Sequence, residues 1–297
     1  MFRDELRFPH CLALFPIGIS ILFLLNSVRI AALITIGHWG ARDIAVGGFH
    51  SQAGWIAFNG VAFGLCLLAR RWNWIWARVD IADDQPAVQD PTTAFLTPFL
   101  AILGAGMIVR AMSGAFEWLY FARVAAAAFC LWRYRHSYAT MNWRVGWPAI
   151  AAGIGVFVVW MGADWVQQFH TVSMPLALAE ASPFSRNLWI AARTFGAIAV
   201  VPIAEELAFR GFLLRRIGHD DFQNVGFDSA SWKGLWISSI VFGLLHGSRW
   251  PAGIVAGFAY AWAARAHGRI GDAVAAHAST NTLLAASVLG WGLWQHW

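Results

Sequence analysis

Charge is what this sequence has least of. Only 12% of its 297 residues are Asp, Glu, Lys or Arg, about half the roughly 25% usual in soluble proteins, while 59% are hydrophobic. That balance excludes an ordinary soluble domain. Cysteine is also scarce: Cys11, Cys66 and Cys130 each lie in or beside an apolar run. Their spacing suits neither a metal site nor a disulfide framework, which leaves them as packing residues. The formal net charge is +5, but the arginines are scattered among the polar interruptions. No basic cluster is interleaved with exposed aromatics, so nucleic acid is not an expected partner. Internal repeats and low-complexity tails are missing as well.

What the chain does have is long apolar runs. A spanning helix needs about 20 mostly apolar residues, and nine segments are candidates: 11–36, 52–69, 93–109, 115–132, 147–163, 187–209, 234–248, 250–266 and 271–294. Several are short, so the expected fold is an all-α polytopic transmembrane helical bundle of about 8–9 helices in a lipid bilayer. The first run, Cys11 to Gly37, is too long for a signal-peptide core and lacks a clear small-residue cleavage site, which makes it a retained helix. With the N-terminus inside, the inner segments hold 13 of the 21 Lys and Arg residues: Arg3, Arg7, Arg70, Arg71, Arg78, Arg133, Arg135, Arg144, Arg215, Arg216, Lys233, Arg265 and Arg269. The outer segments hold 4, namely Arg42, Arg110, Arg186 and Arg249. That bias predicts a multi-pass protein with its N-terminus inside and its C-terminus outside, and the location expected is a bacterial cytoplasmic (inner) membrane. Trp72, Trp74, Trp76, Trp143, Trp147, Trp232, Trp236 and Trp250 fall near proposed span ends, as an interfacial belt requires.

Against this background a few polar residues stand out. Glu205 and Glu206 follow an uncharged run, Phe195–Ala204, and Arg210 comes four residues after Glu206. His246 and His277 each lie in a later apolar segment, and Asn281 is one turn beyond His277. Ionisable groups in a spanning helix cost several kcal/mol each, so they are usually functional and partnered. Helix rise puts Glu205 about 15 Å from the interface at Arg215, His246 roughly 20 Å from Lys233, and His277 about 8 Å from Asp272. Their depths are similar, so side chains from three helices can meet in the bundle interior.

Helical angle separates the two glutamates. Glu206 and Arg210 share a face and are expected to pair, whereas Glu205 is turned about 100° away and lacks that partner. A poorly solvated carboxylate is well suited to act as a general base. His277 and Asn281 also share a face, and their N–H groups suit a developing oxyanion. His246 is then expected to hold or polarise an attacking water with Glu205. The chemistry these residues suggest is amide hydrolysis by activated water, without a covalent enzyme intermediate. Arg29, Glu117, Arg123, Asp164 and Arg193 have no such support and are assigned to snorkelling, capping or interhelical pairs.

These residues fall into three ordered motifs: EExxxR at Glu205–Arg210, FxxxH at Phe242–His246 and HxxxN at His277–Asn281. In them the chain resembles the CPBP family (CAAX proteases and bacteriocin-processing proteins, also called Abi) of intramembrane proteases, whose eukaryotic relative is the type II CAAX prenyl endopeptidase. The resemblance covers about 187–290. It implies a glutamate-type endopeptidase core at 187–297, in which Glu205 and His246 activate water and His277 with Asn281 form the oxyanion hole. Residues 1–186 form transmembrane helices of unassigned role. Their Trp-rich character is similar in a general way to a bacterial subgroup associated with C-terminal sorting tails. The substrate implied is a membrane-anchored or lipidated protein or peptide, cleaved near its C-terminus.

No cofactor is expected. The family was long classed as metalloproteases, and Glu205, His246 and His277 would be the zinc ligands, but HExxH is missing and Asn281 is an indifferent ligand. Two other classes remain in view. A proton-coupled carrier also uses buried Glu, Arg and His, but expects inverted repeats with interrupted helices in both halves. A non-catalytic immunity or scaffold protein would keep the fold without needing the motifs intact.

Overall fold

The computed structural model describes residues 7–69, 71–76, 91–166 and 172–297. Arg3, Arg70 and Arg78, counted above on the inner side, lie outside the described residues, as does the acidic stretch from Asp80 to Asp90. The described residues form helices and no β-strands: α1 (Leu14–His38), α2 (His50–Ala69), α3 (Pro91–Ala111), α4 (Tyr120–Arg133), α5 (Trp147–Val166), a composite α6 from Pro183 to Arg216, α7 (Trp232–Leu244), α8 (Trp250–His267) and α9 (Ile270–Trp291). The chain is therefore an all-α helical bundle.

Among the described residues, four helical segments are long and apolar enough to cross a membrane: His10–His38, Arg42–Ala69, Pro91–Ala111 and Trp147–Val166. The later helices that were expected to span are shorter or more polar. α7 has 13 residues, about 20 Å at ~1.5 Å per residue, against a hydrocarbon core of about 30 Å. Its interior face carries the fully buried Ser238 and Ser239. Core helices that carry polar groups inward are less apolar than helices that meet only lipid.

The chain divides into two compact units: residues 1–89 with 106–119, and residues 90–105 with 120–297. In the first, α1 and α2 run antiparallel, Gly18 facing Leu65 and Arg29 donating to the His50 carbonyl at 3.1 Å. Arg29 is thus an interhelical pair, as expected for an arginine within a span.

The second unit is built on glycine contacts. A Cβ at Gly153 of α5 would come within 2.3 Å of the Ala276 carbonyl on α9, and one at Gly243 of α7 within 2.6 Å of the Ile254 backbone nitrogen on α8. A Cβ at Gly257 of α8 would lie 2.8 Å from both Cα and O of Ser239. Small residues let helix backbones approach this closely where lipid supplies no hydrophobic drive. Around these contacts Phe209, Phe242, Tyr260, Ile270 and Ala276 form one buried cluster.

Gly257→Ala is expected to push α7 and α8 apart, at a cost of roughly 1–3 kcal/mol. Thermal unfolding of the purified protein in detergent should show a midpoint several degrees lower; an unchanged midpoint would contradict the close approach.

Candidate active site

α6 is irregular where the polar residues lie. Its first turns are α-helical to Phe195, Gly196–Val200 form a wider π-helical turn, and Val201–Glu206 return to α-helix before a second π-helical stretch, Leu207–Leu213. Pro202 has no N–H to give to the preceding turn. In the i→i−5 pattern of a π turn its missing partner is Ala197, and Asn281 Nδ2 donates to that carbonyl at 2.7 Å. One amide hydrogen of Asn281 is thereby committed, which orients the carboxamide and leaves the second available.

The glutamates separate as the helical angle predicts. Glu206 is fully buried, and Arg210, also fully buried, approaches both its carboxylate oxygens at 3.1 Å. The guanidinium also donates to the Gly257 carbonyl at 2.7 Å and lies 4.5 Å from the centre of the Phe242 ring. Glu205 points into a cavity of about 190 Å³, with its side chain 16% exposed and its Oε2 without a hydrogen-bond partner.

His277 lies between the two acids. Its Nδ1 donates to Glu206 Oε1 at 2.9 Å, and its Nε2 is 3.9 Å from Glu205 Oε2. That gap is too long for a hydrogen bond but short enough for one bridging solvent molecule about 2.8 Å from each atom. Tyr260 stacks on the imidazole at 4.8 Å, held by its own bond to Thr280 Oγ1 at 2.9 Å. His246 lies two residues beyond the end of α7, and its Nδ1 donates to the Phe242 carbonyl at 2.8 Å. A carbonyl only accepts, so in neutral His246 the lone pair is on Nε2. Trp160 of α5 packs edge-on against this ring at 5.6 Å.

Glu205, His246, His277 and Asn281 thus line one cavity, with Glu206 and Arg210 directly behind it. Glu205, His246 and His277, the residues that would ligate zinc, all face this cavity, while among the described residues no three His, Cys, Asp or Glu side chains are grouped to hold a metal ion.

Several residues in and behind the cavity wall escaped the sequence reading. Arg249 clamps Asp164 through Nε to Oδ1 at 2.7 Å and NH2 to Oδ2 at 3.1 Å, and NH2 also donates to the Gln295 carbonyl at 3.1 Å. His296, its side chain fully buried, places Nδ1 3.1 Å from Asp164 Oδ2 and faces the cavity. Burial lowers its pKa, Asp164 acts to raise it, and Arg249 to lower it; Arg249 therefore carries the charge that balances Asp164. Arg193, over the Tyr120 ring at 4.5 Å, and Trp297 complete the wall. Asp164, assigned above to snorkelling, capping or an interhelical pair, has its partner 85 residues away in sequence.

A helical membrane protein with a buried Glu–Arg–His cluster facing a small cavity is the class that these features define. Residues 187–283 match the family described as "Type II CAAX prenyl endopeptidase Rce1-like", and it is to that family that this part of the chain is similar. Neither a curated protein nor a solved structure matches the chain.

Arg210→Met strands the Glu206 carboxylate in a fully buried place, and breaking such a pair typically costs about 3–5 kcal/mol. Denaturation in mixed micelles should show that loss, with part of it restored in the Arg210→Met/Glu206→Gln double variant. Equal instability of the single and double variants would contradict the pairing.

Proposed function

We propose that residues 187–297 form a glutamate-type intramembrane endopeptidase that hydrolyses a peptide bond near the C-terminus of a membrane-anchored or lipidated protein. The observation that carries this reading is the unpartnered Glu205 oxygen beside His277, in a cavity also lined by His246 and Asn281. Water entering there meets two acceptors, the Glu205 carboxylate and His246 Nε2. Donating one hydrogen to each turns a lone pair towards a substrate carbonyl, and Glu205 takes the proton as the O–C bond forms.

The opposite side of the cavity falls to His277 and Asn281. His277 Nδ1–H donates to Glu206, and with a hydrogen on Nε2 as well the ring faces the tetrahedral oxyanion, together with the second amide hydrogen of Asn281. When the intermediate collapses, the proton held by Glu205 passes to the departing amine, and the C–N bond breaks. Glu206 and Arg210 touch no reacting atom in this scheme and act by holding His277. No step passes through a metal.

Glu205→Gln keeps the shape but cannot accept the proton, and cleavage of a membrane-anchored peptide is expected to fall at least ~10²-fold with insertion and thermal stability retained. Processing at the wild-type rate would eliminate the mechanism. Asn281→Ala is expected to lower kcat by about 10²–10³-fold with little change in KM; steady-state kinetics showing a KM effect alone would reassign Asn281 to substrate binding.

A further inference from the structure

Contacts sort the ends of the core helices into two faces. At one, Asp272 at the start of α9 accepts from the Gly146 amide just before α5 at 2.7 Å, and the Gly271 amide donates to the Asn142 carbonyl at 3.2 Å. Arg215 at the end of α6 donates to the Val225 carbonyl at 3.3 Å. Arg265 at the end of α8 donates to the Ala230 carbonyl just before α7. This face carries Arg144, Arg215, Arg216, Lys233, Arg265 and Arg269. At the opposite face Arg249, following α7, joins Asp164 near the end of α5 to Gln295 beyond α9, and Trp297 meets Trp189 near the start of α6 at 6.1 Å. Arg249 is matched there by Asp164, and the other basic groups on α4 and α6 near this end are Arg123, Arg186 and Arg193.

The cavity extends towards the second face only. From Glu205 its α6 wall is Val201, Ala197 and Arg193, each about one turn nearer the helix start, at ~5.4 Å per turn. On α9 the wall runs from His277 through Asn281 to Leu284, towards the helix end, and His296 and Trp297 finish the rim. Towards the arginine-rich face it is shut: Glu206, Arg210, Phe242 and Tyr260 are at most 2% exposed.

We propose that the cavity is entered from the arginine-poor face, which the positive-inside bias makes extracytoplasmic, so that the substrate is a polypeptide segment presented on the translocated side of the membrane. A tail held in the cytoplasm meets the closed end. The identity of the substrate rests on the peptidase reading; the direction of entry rests on the cavity walls alone.

Thiol labelling tests the direction without needing turnover. In a chain with Cys11, Cys66 and Cys130 replaced by Ala, single cysteines are placed in the cavity on two helices (Val201→Cys and Leu284→Cys), at Asn187 on the arginine-poor face and at Gln223 on the arginine-rich face. Each is exposed to a small membrane-impermeant methanethiosulfonate in right-side-out and inside-out vesicles. Both cavity cysteines are expected to react in right-side-out vesicles together with Asn187→Cys, and Gln223→Cys only in inverted ones. Cavity cysteines that follow Gln223→Cys, or that react in neither orientation, overturn the direction of entry. Asn187→Cys reacting only in inverted vesicles overturns the extracytoplasmic assignment. Unimpaired cleavage by Glu205→Gln would remove the peptidase reading while leaving the labelling result intact.

Discussion

The fully buried contact of Arg210 with Glu206, extended by His277, is the constraint on which the rest of the core depends. A charge pair without solvent is tolerated only when its geometry is good and its remaining donors are used. Here the guanidinium also reaches the Gly257 carbonyl, and the carboxylate takes the His277 N–H. Three helices are thereby joined at one point: α6 through both charged residues, α8 through a backbone carbonyl, and α9 through an imidazole. Gly257 is small because the Ser239 backbone lies against it, and the same close approach brings its carbonyl within reach of Arg210. With Glu206 held on the inner side of α6, the neighbouring Glu205 is turned to the cavity by helix pitch alone.

The irregular turns of α6 matter to the same end. A straight α-helix satisfies its own carbonyls and offers nothing to a neighbour. Pro202 and the wider turn before it release the Ala197 carbonyl, and Asn281 uses it to fix its carboxamide. Tyr260, Thr280 and the Gly153 carbonyl form a further chain behind His277. The proposed oxyanion donors are thus oriented from behind by groups that never meet substrate, which is how such donors come to cost no reorganisation during reaction.

Where partners are four residues apart, the sequence was informative. The Glu206–Arg210 pair and the shared face of His277 and Asn281 were legible because helix pitch places such residues side by side. The Asp164–Arg249–His296 cluster was not, since its members lie on separate segments and no local spacing relates them. His277 is an intermediate case. Its place among the polar residues was foreseen, but its bond to Glu206, 71 residues away, depends on how α9 crosses α6. Helix boundaries were likewise approximate: the segment expected to begin at 115 becomes helical at Tyr120, and the one expected at 187–209 is part of a longer composite helix.

By itself the sequence determined the solvent this protein lives in, the order of its helices, and which polar residues face the same way along each one. Composition and the 3.6-residue period are properties of the chain and need no neighbour to express them. Only the tertiary structure decided that one imidazole stands between both acids, that a released backbone carbonyl orients Asn281, and that the cavity is closed at its arginine-rich end. Those outcomes depend on glycine contacts that set the distance and angle between helices, and on side chains meeting across segments that the linear order keeps far apart.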